Sequence, residues 1–84
     1  MFYLGIDVAL NTHRLVALDD NGERVSSGIS FQNNTADFEK VLTKLKELSI
    51  NPDNSICGLE ATGNNWENLY CFLTGKGFKT ILLN

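Results

Sequence analysis

Two short apolar stretches that each end in a single carboxylate constrain this chain more than any other feature. Residues 2–8 are uncharged except for Asp7, and residues 55–60 are uncharged except for Glu60 at the last position. Continuous apolar runs of this length are typical of strands covered on both faces, where an unpaired carboxylate is costly to bury. We therefore expect both acids at the ends of strands, facing a cleft.

Length and composition predict one small globular domain. The chain has 84 residues and a formal net charge of −3, which argues against a basic surface that grips nucleic acid by itself. No apolar run approaches a membrane span, and no basic segment precedes the first apolar run, so we expect a cytoplasmic protein without a signal peptide. Cys57 and Cys71 match no zinc-binding spacing and are predicted to be reduced, buried thiols.

The segment after the first strand predicts an antiparallel meander. Residues 13–18 are typical of a second strand, and Asn21-Gly22 between two apolar runs is a strong hairpin signal. Residues 23–31 follow as a third strand, whose serines suggest an exposed edge. The sheet therefore starts with three consecutive antiparallel strands.

Two helices and two more strands complete the predicted pattern. Asn34 or Thr35 caps a first helix that ends near residues 50–53, and a second helix starts near Thr62 or Asn64. Each helix carries an apolar stripe at helical spacing, which we interpret as core. The second helix ends at Gly75-Lys76-Gly77, before a fifth strand over residues 78–83. The stripes are Phe38, Val41, Leu42, Leu45 and Leu48 in the first helix, and Trp66, Leu69, Tyr70 and Leu73 in the second.

This order of elements determines which strands are neighbours. A right-handed helical crossover from the third strand returns parallel to the first, which places the strand of Glu60 beside that of Asp7. The predicted fold is an α/β, ribonuclease-H-like (RuvC-like) mixed sheet of five strands, in the order 3-2-1-4-5, that ends after the fifth strand. Asp7 and Glu60 should then meet at one edge of the sheet.

Three segments resemble the amino-terminal part of bacterial insertion-sequence transposases of the DEDD type. They are Gly-Ile-Asp-Val at 5–8, Leu-Glu-Ala-Thr-Gly-Asn at 59–64 and Trp-Glu-Asn-Leu-Tyr at 66–70. The resemblance covers nearly the whole chain, and its most specific part is Leu-Glu-Ala-Thr-Gly. It implies a RuvC-like catalytic domain in which Asp7 and Glu60 match the first two acids of the metal site.

The resemblance also implies a fragment, residues 1–84 being the N-terminal portion of a ribonuclease-H-like catalytic domain. The family takes two further aspartates from a later helix and a serine from a separate domain, and this chain has no counterpart to them. The implied activity is cutting and joining of DNA strands with Mg²⁺ or Mn²⁺, with DNA as partner, guide RNA in some members, and a homo-oligomer. The fragment alone should be inactive and bind metal weakly.

Other interpretations of the same residues remain open. Asp7 could cap a turn, and Glu60 could be a charge favourable to a helix dipole. A nucleotide-dependent kinase or ATPase of actin-like fold starts with the same meander, but residues 8–12 lack the glycine of its phosphate loop. A non-catalytic ribonuclease-H-like binding module is a third possibility. His13 is expected to be a surface or structural residue and not a ligand.

Overall fold

A mixed five-stranded sheet in the order 3-2-1-4-5 organises the chain in the computed structural model, which describes residues 1–61, 63 and 65–83. The first strand pairs antiparallel with the second and parallel with the fourth, so the predicted strand order is confirmed. The strands are β1 Phe2–Val8, β2 Thr12–Leu18, β3 Ile29–Gln32, β4 Ser55–Ala61 and β5 Lys79–Leu83.

Two helices pack against the sheet, α1 (Thr35–Glu47) and α2 (Glu67–Gly75). The side chain of Asn34 caps α1 by accepting a hydrogen bond from the Asp37 amide, as its position before the apolar stripe predicts. A 3-10 turn, Pro52–Asn54, leads into β4. The first turn of α2 was expected near Thr62 or Asn64, but these two residues lie outside the described part of the chain, and the helix begins at Glu67.

The core lies on one face of the sheet only. Alternate residues of β1, namely Leu4, Ile6 and Val8, are buried in the same cluster as the apolar side chains of both helices. Tyr3 points the other way and is 46% exposed. The expectation that this strand is covered on both faces is therefore wrong for the described residues. We call the uncovered side of the sheet the open face.

The third predicted strand is shorter than its sequence suggests. Residues 23–31 were expected to be extended throughout, but β3 begins at Ile29, and only an isolated bridge joins Arg24 to Leu18 before it. Residues 25–28 separate this bridge from β3, and within them Gly28 lies under the guanidinium of Arg14, where there is no room for a Cβ. Gly22 has a φ of 77°, in agreement with the predicted turn.

The two cysteines differ in their surroundings. Cys57 is fully buried in the core, and burial raises the pKa of its thiol to about 12. Cys71 is exposed on α2, so the prediction of a buried thiol is wrong there. Within the described residues, no helix is long and apolar enough to cross a membrane.

Candidate functional site

Asp7 and Glu60 are directly opposite each other on neighbouring parallel strands. They are register partners near the carboxyl ends of β1 and β4, and both are exposed on the open face. Neighbouring strands lie about 4.8 Å apart, so the two carboxylates start from adjacent backbone positions. The predicted convergence of these two acids at one edge is present, while their catalytic role stays a prediction.

Two glycines form the floor of a shallow groove beside these acids. Gly5 and Gly58 are register partners two residues before Asp7 and Glu60, on the same face. A Cβ on Gly5 would meet nothing within 4 Å, and one on Gly58 would approach only Leu83, at 3.2 Å. The missing side chains leave the backbone accessible there. The groove, of about 270 Å³, is lined by Gly5, Ile6, Asp7, Arg14, Val16, Gly58, Glu60 and Leu83.

Neither acid is neutralised within the described part of the chain. The salt bridges found there join the amino terminus to Asp20 and Lys76 to Glu39, and leave Asp7 and Glu60 without a cation. Two adjacent carboxylates match the oxygen ligands that Mg²⁺ and Mn²⁺ prefer. Among the described residues, no group of three or more His, Cys, Asp or Glu side chains could hold a metal ion. The chemistry of these two carboxylates fits a hard divalent ion, and by themselves they would provide only part of its ligands.

Arg14 is the cationic residue that lines the same groove as the two acids, and sequence reasoning did not single it out. It is the register partner of Asp7 on β2, yet its Nη1 donates a hydrogen bond to the hydroxyl of Ser30 on β3, at 3.4 Å. The sequence carries a signal for its orientation, because Arg14 alternates with buried His13 and Leu15. Its guanidinium is therefore on the open face but turned away from Asp7.

His13 lies on the opposite, helix-covered face and has a structural position. Its side chain is fully buried, and its ring contacts Phe31 edge-to-face with centroids 5.4 Å apart. The Nδ1 atom accepts a hydrogen bond of 3.3 Å from the amide of Ala9 in the turn that follows β1. His13 was expected to be a surface or structural residue and not a metal ligand. Its position on the face opposite Asp7 and Glu60 agrees with a structural role.

The turn after Glu60 is described only in part. From the sequence, Thr62 is expected to shape this turn, and Asn64 and Asn65 to cap α2 in preference to approaching a phosphate, but Thr62 and Asn64 lie outside the described residues. Gly63 has a φ of 68°, a left-handed conformation that favours glycine. From the sequence, Gly63 is expected, with Thr62, to shape the turn after Glu60, and this value agrees with that expectation.

Comparison with protein families gives one match over almost the entire chain. The family model of IS110-type DEDD transposases, described as "Transposase", matches residues 4–84. No curated protein matches the chain at a significant level.

Comparison with solved structures concerns the fold. A Bacteroides thetaiotaomicron protein with an actin-like ATPase fold and unknown function is similar with a TM-score of 0.76 and 19% identity, over 99% of this chain and 32% of that one. The type II variant of the Aquifex aeolicus Ppx/GppA phosphatase is similar with a TM-score of 0.51 and 11% identity, over 99% of this chain and 35% of that one. The chain thus spans about a third of the length of these structures. Identities this low bear on the fold alone.

Proposed function

This chain belongs to the family of DEDD transposases, and we propose that it contributes Asp7 and Glu60 to a metal site that cuts and joins DNA strands. The observation that carries the proposal is the register pairing of these two exposed carboxylates at the carboxyl ends of adjacent parallel strands. Their lack of a cationic partner among the described residues supports it, since carboxylates held together without a cation repel each other.

The proposed metal is Mg²⁺ or Mn²⁺, with Asp7 and Glu60 as its ligands in this chain. When bound, such ions polarise phosphate oxygens and stabilise the attacking and leaving oxygens of a phosphodiester. The chain itself contributes the carboxylate oxygens and an open approach, because Gly5 and Gly58 place no side chain beside them. The alternation of β1 and β4 directs both acids away from the core, so a phosphodiester can approach them from solvent.

We further propose that the chain is the N-terminal portion of a ribonuclease-H-like catalytic domain within a longer transposase. The support is the family match, the sheet order 3-2-1-4-5 and the length of the similar structures, of which this chain spans about a third. The remaining acids of the metal site would then come from later segments, and DNA would be the partner of the longer protein. We refer to that protein as the full-length transposase.

The test is a comparison of matched acid-to-amide variants. Asp7→Asn and Glu60→Gln in the full-length transposase should abolish strand cleavage in Mg²⁺ or Mn²⁺, because each removes a metal ligand. Glu47→Gln is the control, since Glu47 is exposed on α1, on the other side of the sheet. Cleavage that persists in either site variant contradicts the assignment.

Stability measurements on the 84-residue chain separate ligand loss from misfolding. Asp7 and Glu60 are exposed, so both variants should change the free energy of unfolding by no more than about 0.5 kcal/mol. A higher free energy of unfolding would also agree with the proposal, because each variant removes a repulsion between like charges. Variants that melt far below the wild-type chain would show that these acids are structural.

A nucleotide-dependent phosphotransferase is the second candidate, favoured by the actin-like fold of the Bacteroides structure. The turn between β1 and β2 argues against it, because residues 9–11 contain no glycine that would let the backbone wrap a phosphate. Calorimetric titration of the full-length transposase with ATP and Mg²⁺ tests this alternative. Saturable ATP binding that Asp7→Asn abolishes would favour it over strand cleavage.

A further inference from the structure

A row of residues that crosses all five strands indicates how the proposed site contacts its substrate. At the level of the two acids, the register places side chains from all five strands in line on the open face. The order across the sheet is Ser30, Arg14, Asp7, Glu60 and Leu83. We propose that Arg14 binds the DNA backbone at a phosphate next to the one that a divalent ion on Asp7 and Glu60 would bind. This assignment rests on the proposed function.

The first argument is the position of the Arg14 guanidinium. A charged pair directly opposite on antiparallel strands normally interacts, and Arg14 and Asp7 are such a pair. The guanidinium instead lies over Gly28, where a Cβ would come within 2.5–2.9 Å of its atoms, and donates to Ser30. Both contacts hold the cation on the β3 side of its own strand. Asp7 is thereby left free to bind a metal ion.

The second argument is the unused hydrogen-bonding capacity of Arg14. Its guanidinium has five N–H donors, and within the described residues it makes one hydrogen bond, of 3.4 Å, and no salt bridge. The side chain is also exposed. An arginine with free donors in a planar fork is suited to bidentate binding of a phosphate.

The third argument is charge. The chain carries a net charge of −3, and the groove beside Asp7 and Glu60 has two acids among its lining residues. A polyanion approaching this edge meets repulsion unless cations offset it. Arg14 is the cationic residue that lines this groove, so it is positioned to offset part of that repulsion one strand away from the acids.

The test measures how DNA affinity depends on salt. Each phosphate that a protein neutralises steepens the plot of log K against log[salt], by about 0.9 for duplex DNA. Fluorescence anisotropy with a duplex of arbitrary sequence, in Ca²⁺ and from about 50 to about 200 mM KCl, gives this slope for the full-length transposase. Arg14→Gln should weaken binding about tenfold at the lowest salt and make the slope shallower by about 0.9.

Two further variants make the result specific. Arg24→Gln removes the same charge from an exposed arginine beside Leu18, at the opposite edge of the sheet, and should leave the slope unchanged. Arg14→Lys keeps the charge but lacks the planar guanidinium that binds a phosphate with two hydrogen bonds. It should therefore retain the salt slope of wild type while binding DNA more weakly. An unchanged slope in Arg14→Gln, or an equal change in Arg24→Gln, overturns the proposal.

Asp7→Asn separates this inference from the proposed function. If Asp7→Asn still cleaves DNA, the proposed function fails whatever the salt slopes are. If Asp7→Asn is inactive and Arg14→Gln keeps the wild-type slope, only the assignment of Arg14 fails. Thermal melts confirm that each variant is folded, which is expected because Arg14 and Arg24 are exposed.

Discussion

Gly5 on β1 is directly opposite Gly58 on β4, two residues before the two acids and on the same face. A glycine in the interior of a strand weakens it, since it costs backbone entropy and offers no side chain to pack. Neither residue has the positive φ that would require glycine. The conformation of the strands therefore does not explain why both positions are glycine. Access of a substrate to the groove on the open face is the better explanation.

Gly5→Ala in the 84-residue chain should keep or raise the free energy of unfolding, by up to about 1 kcal/mol, because a Cβ there meets no atom within 4 Å. The larger Gly5→Val in the full-length transposase should reduce strand cleavage, because it fills the groove beside Asp7. Gly75→Val at the end of α2, also in open space, is the control. Full cleavage by Gly5→Val would show that nothing enters the groove at this point.

His13→Phe should lower the free energy of unfolding by about 1–3 kcal/mol, because the Ala9 amide loses its acceptor in a partly buried position. Phe keeps the ring contact with Phe31. It also removes the buried Nε2 atom, which has no hydrogen-bond partner among the described residues, so the net loss should lie toward the lower end of this range. Denaturant titration measures the stability, and hydrogen exchange of the Ala9 amide should become faster. Unchanged stability and exchange would contradict a role for His13 in holding this turn.

Alkaline pH should destabilise the chain through Cys57. Burial raises the pKa of this thiol from 9.0 to about 12, so the folded state keeps its proton while the unfolded state loses it. The stabilisation is complete below pH 9.0 and is lost progressively as the pH rises toward 12. At about pH 10 the contribution of this group should be about 1.4 kcal/mol lower than at neutral pH.

Cys57→Ala isolates that contribution from the other groups that titrate in the same range. Denaturant titrations from neutral to alkaline pH should give a smaller alkaline loss for Cys57→Ala than for the wild-type chain, while Cys71→Ala behaves like wild type, since Cys71 is exposed. Equal pH dependence in all three proteins would contradict the burial argument.

The 84-residue chain on its own should self-associate through the open face. Tyr3 and Ile81 on this face are 46% and 45% exposed, and contiguous exposed apolar surface favours association. Sedimentation velocity at increasing concentration should detect dimers or larger species, and Ile81→Lys should reduce them. Leu10→Lys is the control, because Leu10 is 69% exposed but lies in the turn between β1 and β2. A chain that stays monomeric at high concentration would contradict this prediction.

Much of the site could be predicted because it depends on local patterns and on one topological rule. Asp7 and Glu60 are each marked as the single charge of an apolar run, and the handedness of crossovers makes their strands neighbours. Arg14 was missed because an arginine in a strand is ordinary by itself. Its relation to the site depends on the pairing of β2 with both β1 and β3, which joins residues distant in sequence.

The expectations that were wrong share a different cause. A strand covered on both faces at residues 2–8, a strand over all of residues 23–31 and a buried thiol at Cys71 each require knowing what packs against the segment. Apolar composition records a preference for burial, but the packing of other elements determines which side is buried. The contact between Arg14 and Gly28, just before β3 begins, likewise depends on how neighbouring elements pack.

The sequence by itself determined the order of the elements, the strand order of the sheet and the edge at which Asp7 and Glu60 meet. Periodicity, turn residues and chain connectivity are local or topological properties, and they suffice for these features. Only the tertiary structure decided that one face stays open, that two glycines form the floor of the groove and that Arg14 is held against Gly28 and away from Asp7. These features depend on register and side-chain packing between strands, which form only when the whole sheet assembles.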